Sequence, residues 1–171
     1  MMKMALYTGM RRGEMFKLQW KNVNLDTGFI LLADPKGGPD QKIPINDMAR
    51  NLLSSITRSK SPYVFPGRDG GMRTTTGVAG RRIRKNAGLP DDFRPMHGLR
   101  HVYASMLASS GKVNMYVLQK LMTHKSPKMT QRYAHLRDDA LKSGAGQIDD
   151  IFKQQKDAKQ EKKVVNIRHK K

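Results

Sequence analysis

The chain has 171 residues and carries 33 Lys and Arg against 14 Asp and Glu, which gives a formal net charge of +19. This length suits one domain with a buried core. The basic excess predicts a polyanionic partner such as a nucleic acid, or else a ribosomal-type basic protein that binds non-specifically. The absence of cysteine excludes a disulfide scaffold, a zinc finger and a thiol nucleophile and agrees with a cytoplasmic location, and the longest apolar run, 29–33, is too short to span a membrane.

The apolar and turn residues predict an α+β chain that is mostly helical, with one small antiparallel sheet. Two β-rich segments, 28–33 and 42–45, flank a loop rich in proline and glycine and predict a hairpin. Helical periodicity appears in most of the remaining chain. In chain order, the predicted helices cover about 1–7, 11–18, 47–56, 74–87, 97–110, 113–122, 126–135 and, weakened by two glycines, 139–153.

Three of these helices have an apolar stripe that we expect to face the core. The stripes are Met48, Leu52, Leu53 and Ile56; Val78 and Ile83; and Leu99, Val102, Tyr103, Met106 and Leu107. On the third helix, His97, Arg100 and His101 stand three and four positions apart, so we expect them to share a face that points away from the stripe. That face is either a functional site or an ordinary solvated basic surface.

Further polar residues lie at turns and helix ends. Thr8-Gly9-Met10-Arg11 is a glycine turn that leads into an arginine, and Glu14 follows one helical turn later, an arrangement that holds a guanidinium at a fixed angle. Lys36 lies in the hairpin loop, His124 at a helix end and Tyr133 on the next helix. Each of these last three has an ordinary explanation when taken alone: hydration, a helix-dipole contact or packing.

In this order, the residues resemble the catalytic domain of the tyrosine recombinases, the phage integrase family. Thr8-Gly9-x-Arg11-x-x-Glu14 with Leu18-x-Trp20 is similar to the family's first arginine box, and Lys36 is similar to its strand-turn lysine. His97-x-Leu99-Arg100-His101 is similar to the second box, and His124 with Tyr133 nine residues later is similar to the third. The resemblance covers about residues 1–137, and its most specific part is the tandem of the second and third boxes.

The sequence departs from the family pattern at three positions. Thr123 stands where the family usually has glycine before the histidine, Asn22 where it has aspartate after the tryptophan, and Gly98 where aspartate is common. None of these changes removes a chemical group from the expected site. We expect Thr123 to alter how His124 is presented.

The composition changes once, near residue 152. Residues 152–171 carry eight Lys or Arg and two acids with few large apolar side chains, so we expect a disordered basic tail that either contacts DNA or only aids solubility. Residues 1–151 are expected to form the catalytic domain. Because the chain opens in what resembles the end of an apolar helix, we expect a piece of a longer protein, without the domain's first helix and the family's N-terminal DNA-clamping domain.

The resemblance implies a site-specific DNA recombinase, an integrase that cuts and rejoins DNA to integrate or excise a mobile element. Arg11 and Arg100 would direct two-pronged donors at the oxygens of a phosphodiester, and His124 would add a third hydrogen bond. Tyr133 would attack phosphorus and form a 3′-phosphotyrosine, with His97 as the base and Lys36 as the acid. One ester replaces another, so no cofactor and no metal is expected.

The expected partner is double-stranded DNA. Four cations within five residues of one helix, Arg81, Arg82, Arg84 and Lys85, are expected to contact backbone phosphates, although a solvated face explains them equally well. The resemblance also implies a tetramer on DNA, a monomer without it and no membrane, with the segment 139–152 docking either on a neighbouring subunit or on its own domain.

Two other functions stay open. The chain could be a non-catalytic basic module that binds DNA or RNA. It could also be a type IB topoisomerase, although that class typically lacks the counterpart of His97 and places its tyrosine much farther from the final histidine.

Overall fold

The computed structural model describes residues 1–32 and 40–137, residue 142 and residues 144–147. Up to residue 137, the helices are α1 (Met2–Thr8), α2 (Arg12–Lys17), α3 (Asp47–Ser54), α4 (Gly77–Asn86), α5 (Pro95–Ser109), α6 (Met115–Leu121) and α7 (Lys128–Gln131). Short 3-10 helices cover Trp20–Asn22 and Ala134–Arg137. The strands are β1 (Val23–Asn24), β2 (Phe29–Leu32) and β3 (Gln41–Pro44). The predicted mixture of many helices and one small sheet is therefore confirmed.

The three strands form an antiparallel sheet in the order β1-β2-β3, with Val23 opposite Ile30 and Ile30 opposite Ile43. Ile30 and Leu32 are buried, whereas Phe29 is 42% exposed. This alternation gives the sheet one face that packs on the helical core. The predicted hairpin is confirmed, and β1 is a third strand that its two residues were too short to indicate.

The larger apolar core lies between the sheet, α1, α3 and the start of α5. Its buried members include Met4, Ile30, Ile43, Leu53 and Met96. Asn46 ties α3 to α1, because its side chain accepts a hydrogen bond from the Ala49 N–H at 2.9 Å and donates one to the Tyr7 carbonyl at 2.7 Å. The end of α1, where the glycine turn begins, is thereby held against the core.

A second apolar core lies between α5, α6 and the chain after α7. Its buried members are Ala104, Ala108, Leu118, Met122 and Tyr133. Tyr133 is only 4% exposed, so the tyrosine singled out for chemistry also closes this core. Its backbone N–H donates to the Thr130 carbonyl at 3.0 Å, a tight turn that ends α7 early. The predicted helix over 126–135 is wrong in its extent, since Tyr133 lies in a turn rather than on the helix.

The stripe predicted for α5 is correct for Leu99, Tyr103 and Leu107, which pack against the two cores, and wrong for Val102 and Met106. Val102 and Met106 are 45% and 63% exposed, and the buried residues are Met96, Arg100, Ala104 and Ala108. Two alanines give a weak hydrophobic signal but pack closely, and the guanidinium tolerates burial because it binds backbone carbonyls. Arg100 consequently lies on the buried face of α5, not on the solvent side.

Two smaller expectations fail for related reasons. On α3, Leu53 is buried and Leu52 and Ile56 pack against the core as predicted, but Met48 is 55% exposed. Val78 and Ile83 are 67% and 39% exposed, and α4 has no buried residue. α4 therefore lies on the outside of the domain.

Some of the predicted features lie in residues that the structure does not describe. The hairpin loop with Lys36, most of the segment 139–152 and the basic tail 152–171 are among them. In the part of the chain that the structure describes, no helix is long and apolar enough to cross a membrane.

Candidate active site

Arg100 of α5 is a buried charged residue at the centre of the candidate site. It is 5% exposed, and its Nη1 and Nη2 donate to the carbonyls of Gly9 and Met122. Burial, followed by repulsion from Arg11, lowers the pKa of Arg100 to about 10, so the guanidinium stays charged at neutral pH. The two carbonyls fix its orientation and join α1, α5 and the end of α6.

Gly9 makes this junction possible. It ends α1 in the left-handed region with φ 65°, and a Cβ there would lie 2.5 Å from Cδ1 of Tyr103. Both the backbone angle and the close approach call for glycine. The glycine of the Thr8-Gly9 turn thus presents its carbonyl directly to Arg100.

Arg11 stands at the N-terminal end of α2 and is held by Glu14 and Thr123. Its Nη1 donates to Glu14 Oε1 at 2.9 Å, to the Thr123 carbonyl at 3.0 Å and to the Thr123 hydroxyl. Glu14 Oε2 accepts the Arg11 backbone N–H at 2.6 Å, and Thr123 Oγ1 also donates to Glu14 Oε1 at 3.1 Å. The Arg11 side chain is 34% exposed, so part of its fork faces solvent.

The two arginines bind consecutive carbonyls, Met122 and Thr123, immediately before His124. Thr123 adopts φ 49°, a left-handed conformation that is rare for a β-branched residue. The family pattern has glycine at this position, which adopts this angle without strain. Here the threonine supplies a hydroxyl that bridges Arg11 and Glu14.

His124 follows this turn and is oriented by Thr130. Its Nδ1 lies 2.8 Å from Thr130 Oγ1, and among the described residues its Nε2 has no hydrogen-bond partner. Burial, followed by repulsion from Arg100 and Arg11, lowers the pKa of His124 to about 4. His124 is therefore neutral at pH 7, and when Thr130 donates to Nδ1, the proton of the ring lies on Nε2, which can then donate.

The phenol of Tyr133 binds an imidazole. Its Oη lies 2.6 Å from Nδ1 of His101, and Nε2 of His101 lies 2.9 Å from Nε2 of His97. Burial raises the pKa of Tyr133, an effect that the charges of Arg132 and Arg100 oppose. The hydroxyl contacts His101. His97 is therefore connected to the phenol only through the ring of His101.

Five of the six predicted catalytic residues come together around the end of α6. These are Arg11, His97, Arg100, His124 and Tyr133. The charge of Arg100 contributes to the pKa shifts of all three histidines, His97, His101 and His124, and of Tyr133, which reflects their proximity. The sixth residue, Lys36, lies outside the described residues.

The predicted DNA-contacting cluster lies on α4. Arg81, Arg82 and Lys85 are exposed, whereas Arg84 Nη2 forms an ion pair with Asp91 Oδ1 at 2.8 Å. Three of the four side chains therefore present charge to solvent, and Arg84 is committed to the turn that follows α4.

Sequence reasoning assigned no role to Thr130, Arg132 or His101. Thr130 and Arg132 flank the tyrosine turn, three residues and one residue before Tyr133, where their spacing alone looked ordinary. His101 was placed beside Arg100 on α5, but only the fold reveals that it meets the phenol. At Gly98, where aspartate is common in the family, an added Cβ would lie 2.4 Å from Cζ of the Phe93 ring.

Metal ligation finds no support in the described part of the chain, which contains no group of three or more His, Asp or Glu side chains close enough to hold an ion. The cluster is instead cationic, with a buried and a half-exposed guanidinium beside neutral imidazoles. Such a set of donors suits an anionic oxygen, and the adjacent phenol is a nucleophile once its proton is removed.

Curated proteins are similar to this chain in sequence. The chain is 31% identical over 134 residues to the shufflon-specific DNA recombinase of Escherichia coli, a match covering 78% of this chain and 33% of the relative. It is 32% identical over 163 residues to the integrase of Salmonella phage P22, covering 86% of this chain and 41% of the relative. The chain thus spans well under half the length of these relatives.

Solved structures share the fold. The Tn1549 transposon integrase in complex with circular intermediate DNA superposes with a TM-score of 0.71 at 22% identity, over 86% of this chain and 58% of that one. The catalytic domain of bacteriophage HP1 integrase superposes with a TM-score of 0.61 at 25% identity, over 84% of this chain and 77% of that one. The model of the phage integrase family matches residues 1–140. With the fold, the ordered boxes and this match in agreement, the chain belongs to the phage integrase family and has the fold of a tyrosine recombinase catalytic domain.

Proposed function

We propose that the chain carries the catalytic domain of a site-specific DNA recombinase that acts on double-stranded DNA in the cytoplasm. The observation that carries this proposal is the junction at the end of α6. Arg100 and Arg11 bind the consecutive carbonyls of Met122 and Thr123, directly before His124, and the buried phenol of Tyr133 lies in the electrostatic reach of Arg100. We infer that Arg11, Arg100 and His124 donate to one phosphate and that Tyr133 attacks it.

The reaction is a transesterification at phosphorus. Oη of Tyr133 attacks a DNA phosphodiester, the bond from phosphorus to the 5′-oxygen breaks, and a 3′-phosphotyrosine holds the energy of the original ester. A 5′-hydroxyl from a second strand then attacks the phosphotyrosine and restores a phosphodiester. Since each step exchanges one ester for another, the strands can be cut and rejoined without an external energy source.

The arginines supply most of the expected rate enhancement. Negative charge grows on the non-bridging oxygens during attack, and planar guanidinium groups donate to two oxygens in a geometry that lysine cannot reproduce. A donor preorganised for such an oxyanion contributes about 3–4 kcal/mol at the transition state. The carbonyls of Gly9 and Met122 preorganise Arg100, and Glu14 with Thr123 preorganises Arg11.

Lys36 is proposed as the acid that protonates the departing 5′-oxygen. The exposed cations of α4, Arg81, Arg82 and Lys85, are proposed to bind the DNA backbone outside the site. By analogy with the family, the chain is proposed to be a monomer alone and part of a tetramer on DNA. The integration or excision of a mobile element is the proposed biological task.

The alternatives are less favoured. A type IB topoisomerase uses similar groups, but the interval of nine residues between His124 and Tyr133 and the presence of His97 favour the recombinase. A module that only binds DNA would have no use for a phenol hydrogen-bonded to a neutral imidazole beside two fixed guanidinium groups.

The proposal is tested with a pool of DNA duplexes that carry randomised sequence around a single nick. When the nick lies just beyond the cleaved bond, the short 5′-hydroxyl fragment diffuses away and the covalent intermediate accumulates. We expect a protein–DNA adduct that survives denaturing electrophoresis. It should disappear in Tyr133→Phe and persist in Tyr116→Phe, a matched control at a position that is 66% exposed on α6. An adduct of equal yield from Tyr133→Phe would contradict the proposal.

A further inference from the structure

The hydrogen bond on the phenol of Tyr133 leads into a chain of two imidazoles. From Oη the path runs 2.6 Å to Nδ1 of His101, and from Nε2 of the same ring 2.9 Å to Nε2 of His97. Tyr133 is buried, His101 is half-buried and His97 is exposed. The path therefore connects a buried hydroxyl to solvent through two groups that can each carry a proton.

The helix sets this arrangement. His97 and His101 stand one turn apart on α5, and their rings meet edge to face with centroids 4.4 Å apart. A neutral imidazole has one N–H and one acceptor nitrogen. When Nδ1 of His101 accepts from the phenol, its Nε2–H donates to His97, so all the hydrogen bonds run in one direction, away from Tyr133.

We propose that His101 is the catalytic residue that accepts the proton of Tyr133 Oη, and that His97 acts behind it as the second proton carrier. The inference rests on the proposed strand cleavage and adds a base to it. As the bond from Oη to phosphorus forms and the bond to the 5′-oxygen breaks, the phenolic proton moves to Nδ1 of His101. The Nε2 proton of His101 moves to His97, and the 5′-oxygen takes a proton from the general acid, proposed to be Lys36.

The surrounding charges are compatible with this role. Desolvation, followed by repulsion from His97, Arg132 and Arg100, lowers the pKa of His101, so its ring is neutral and able to accept a proton at pH 7. These charges come from α5 and from the turn after α7, and His124 at the end of α6 also faces this group. Because burial raises the pKa of Tyr133, the phenol should lose its proton during attack rather than beforehand.

A purely structural role for His101 makes a different prediction. Asparagine at 101 places an amide oxygen near the position of Nδ1 and can still accept the hydrogen bond, but it cannot accept the proton. If His101 only positions the phenol, His101→Asn should retain its rate. If His101 is the base, the substitution should remove most of it.

The experiment measures single-turnover adduct formation on the nicked duplex selected with the unmodified chain. We expect His101→Asn to slow adduct formation by about 10²- to 10⁴-fold, and to slow it more than His97→Asn does. The rate of His101→Asn should rise with pH, because hydroxide then removes the phenolic proton. Urea unfolding and DNA binding of each variant serve as controls for folding and affinity.

Two results would overturn the inference: a wild-type rate in His101→Asn, or a larger loss in His97→Asn than in His101→Asn. Either would leave the Tyr133-dependent adduct of the unmodified chain intact, whereas the absence of that adduct would refute the proposed function itself. A measurement on the unmodified chain covers the case in which the variants unfold. Nitrogen NMR of ¹⁵N-labelled histidine should find Nδ1 of His101 unprotonated, and a proton on Nδ1 would contradict the relay.

Discussion

Substitution of Thr123 by serine, alanine and glycine separates two opposing contributions to the stability of the active-site turn. The threonine is in the left-handed region, with φ 49°, which costs an ordinary residue about 1–2 kcal/mol. Its hydroxyl binds Arg11 and Glu14, and hydrogen bonds to charged groups contribute about 1.5–3 kcal/mol each. Arg11 and Glu14 also bind each other and keep that contact when the hydroxyl is lost. Each lost hydrogen bond is therefore expected to cost about 1.5 kcal/mol, the lower end of the range.

We expect Thr123→Ala to lower the free energy of unfolding by about 1.5–3 kcal/mol, since it loses the hydroxyl and keeps the backbone strain. Thr123→Gly loses the same hydroxyl but relieves the strain, which is partly offset by about 0.4–1 kcal/mol of additional unfolded-state entropy. It should therefore be more stable than Thr123→Ala by about 0.5–1 kcal/mol. Thr123→Ser keeps the hydroxyl and should lie closest to the unmodified chain.

Urea unfolding with a common slope, checked by thermal unfolding, measures these differences. For a chain of this size, 1 kcal/mol corresponds to about 2–4 °C in Tm. If Thr123→Gly proves as unstable as Thr123→Ala, the backbone strain at this position is no larger than the entropic cost of glycine, about 0.4–1 kcal/mol. If Thr123→Ala matches the unmodified chain, the bridge from Thr123 to Arg11 and Glu14 contributes nothing to stability.

Three further outcomes follow from the site. Arg100→Lys should slow adduct formation by about 10²- to 10³-fold in single-turnover assays, because the single nitrogen of an ammonium group cannot reproduce the planar fork whose two terminal nitrogens bind the two carbonyls; a rate near wild type would refute the need for the guanidinium fork. Thr130→Val should slow it with little change in DNA affinity, because His124 loses the partner that orients its ring, and an unchanged rate would exclude this role. Since the pKa of His124 is lowered from 6.5 to about 4, the unfolded chain binds more protons in that interval, and stability should fall as pH decreases from 6.5 to 4. His124→Gln should flatten this slope in urea titrations and the exposed control His135→Gln should not; equal slopes would contradict the shift.

The order of polar residues along the chain was sufficient to predict the family and the general fold. The hairpin followed from two β-rich segments on either side of a Pro/Gly loop, and α3 begins at Asp47, where the predicted helix over 47–56 begins. These are local signals, which a single sequence contains. The roles of the site residues remain predictions until the chemistry is measured.

The packing around the site could not be predicted in the same way. Periodicity assigned Val102 and Met106 of α5 to the core, but both are exposed. The residues that α5 buries completely include Ala104, Ala108 and the charged Arg100. Burial of Arg100 depends on the carbonyls of Gly9 and Met122, which lie 91 and 22 residues away in sequence. No local pattern encodes such a pairing.

The same limit applies to the proposed nucleophile. Tyr133 was expected on a helix and is found in a turn, closing an apolar core, with its hydroxyl on His101. His97, the histidine expected to act as the base, contacts His101 and not the phenol. Sequence spacing identified the face of α5 that carries the imidazoles, but only the packing of α5 against the turn after α7 determines which ring touches the phenol.

Peptide mapping of the purified adduct by mass spectrometry tests the central assignment most directly. The chain has five tyrosines, Tyr7, Tyr63, Tyr103, Tyr116 and Tyr133, and after nuclease and protease digestion the nucleotide remnant should be attached to Tyr133 alone. A remnant on any other side chain would show that the group beside Arg100 and His124 is not the one that attacks DNA.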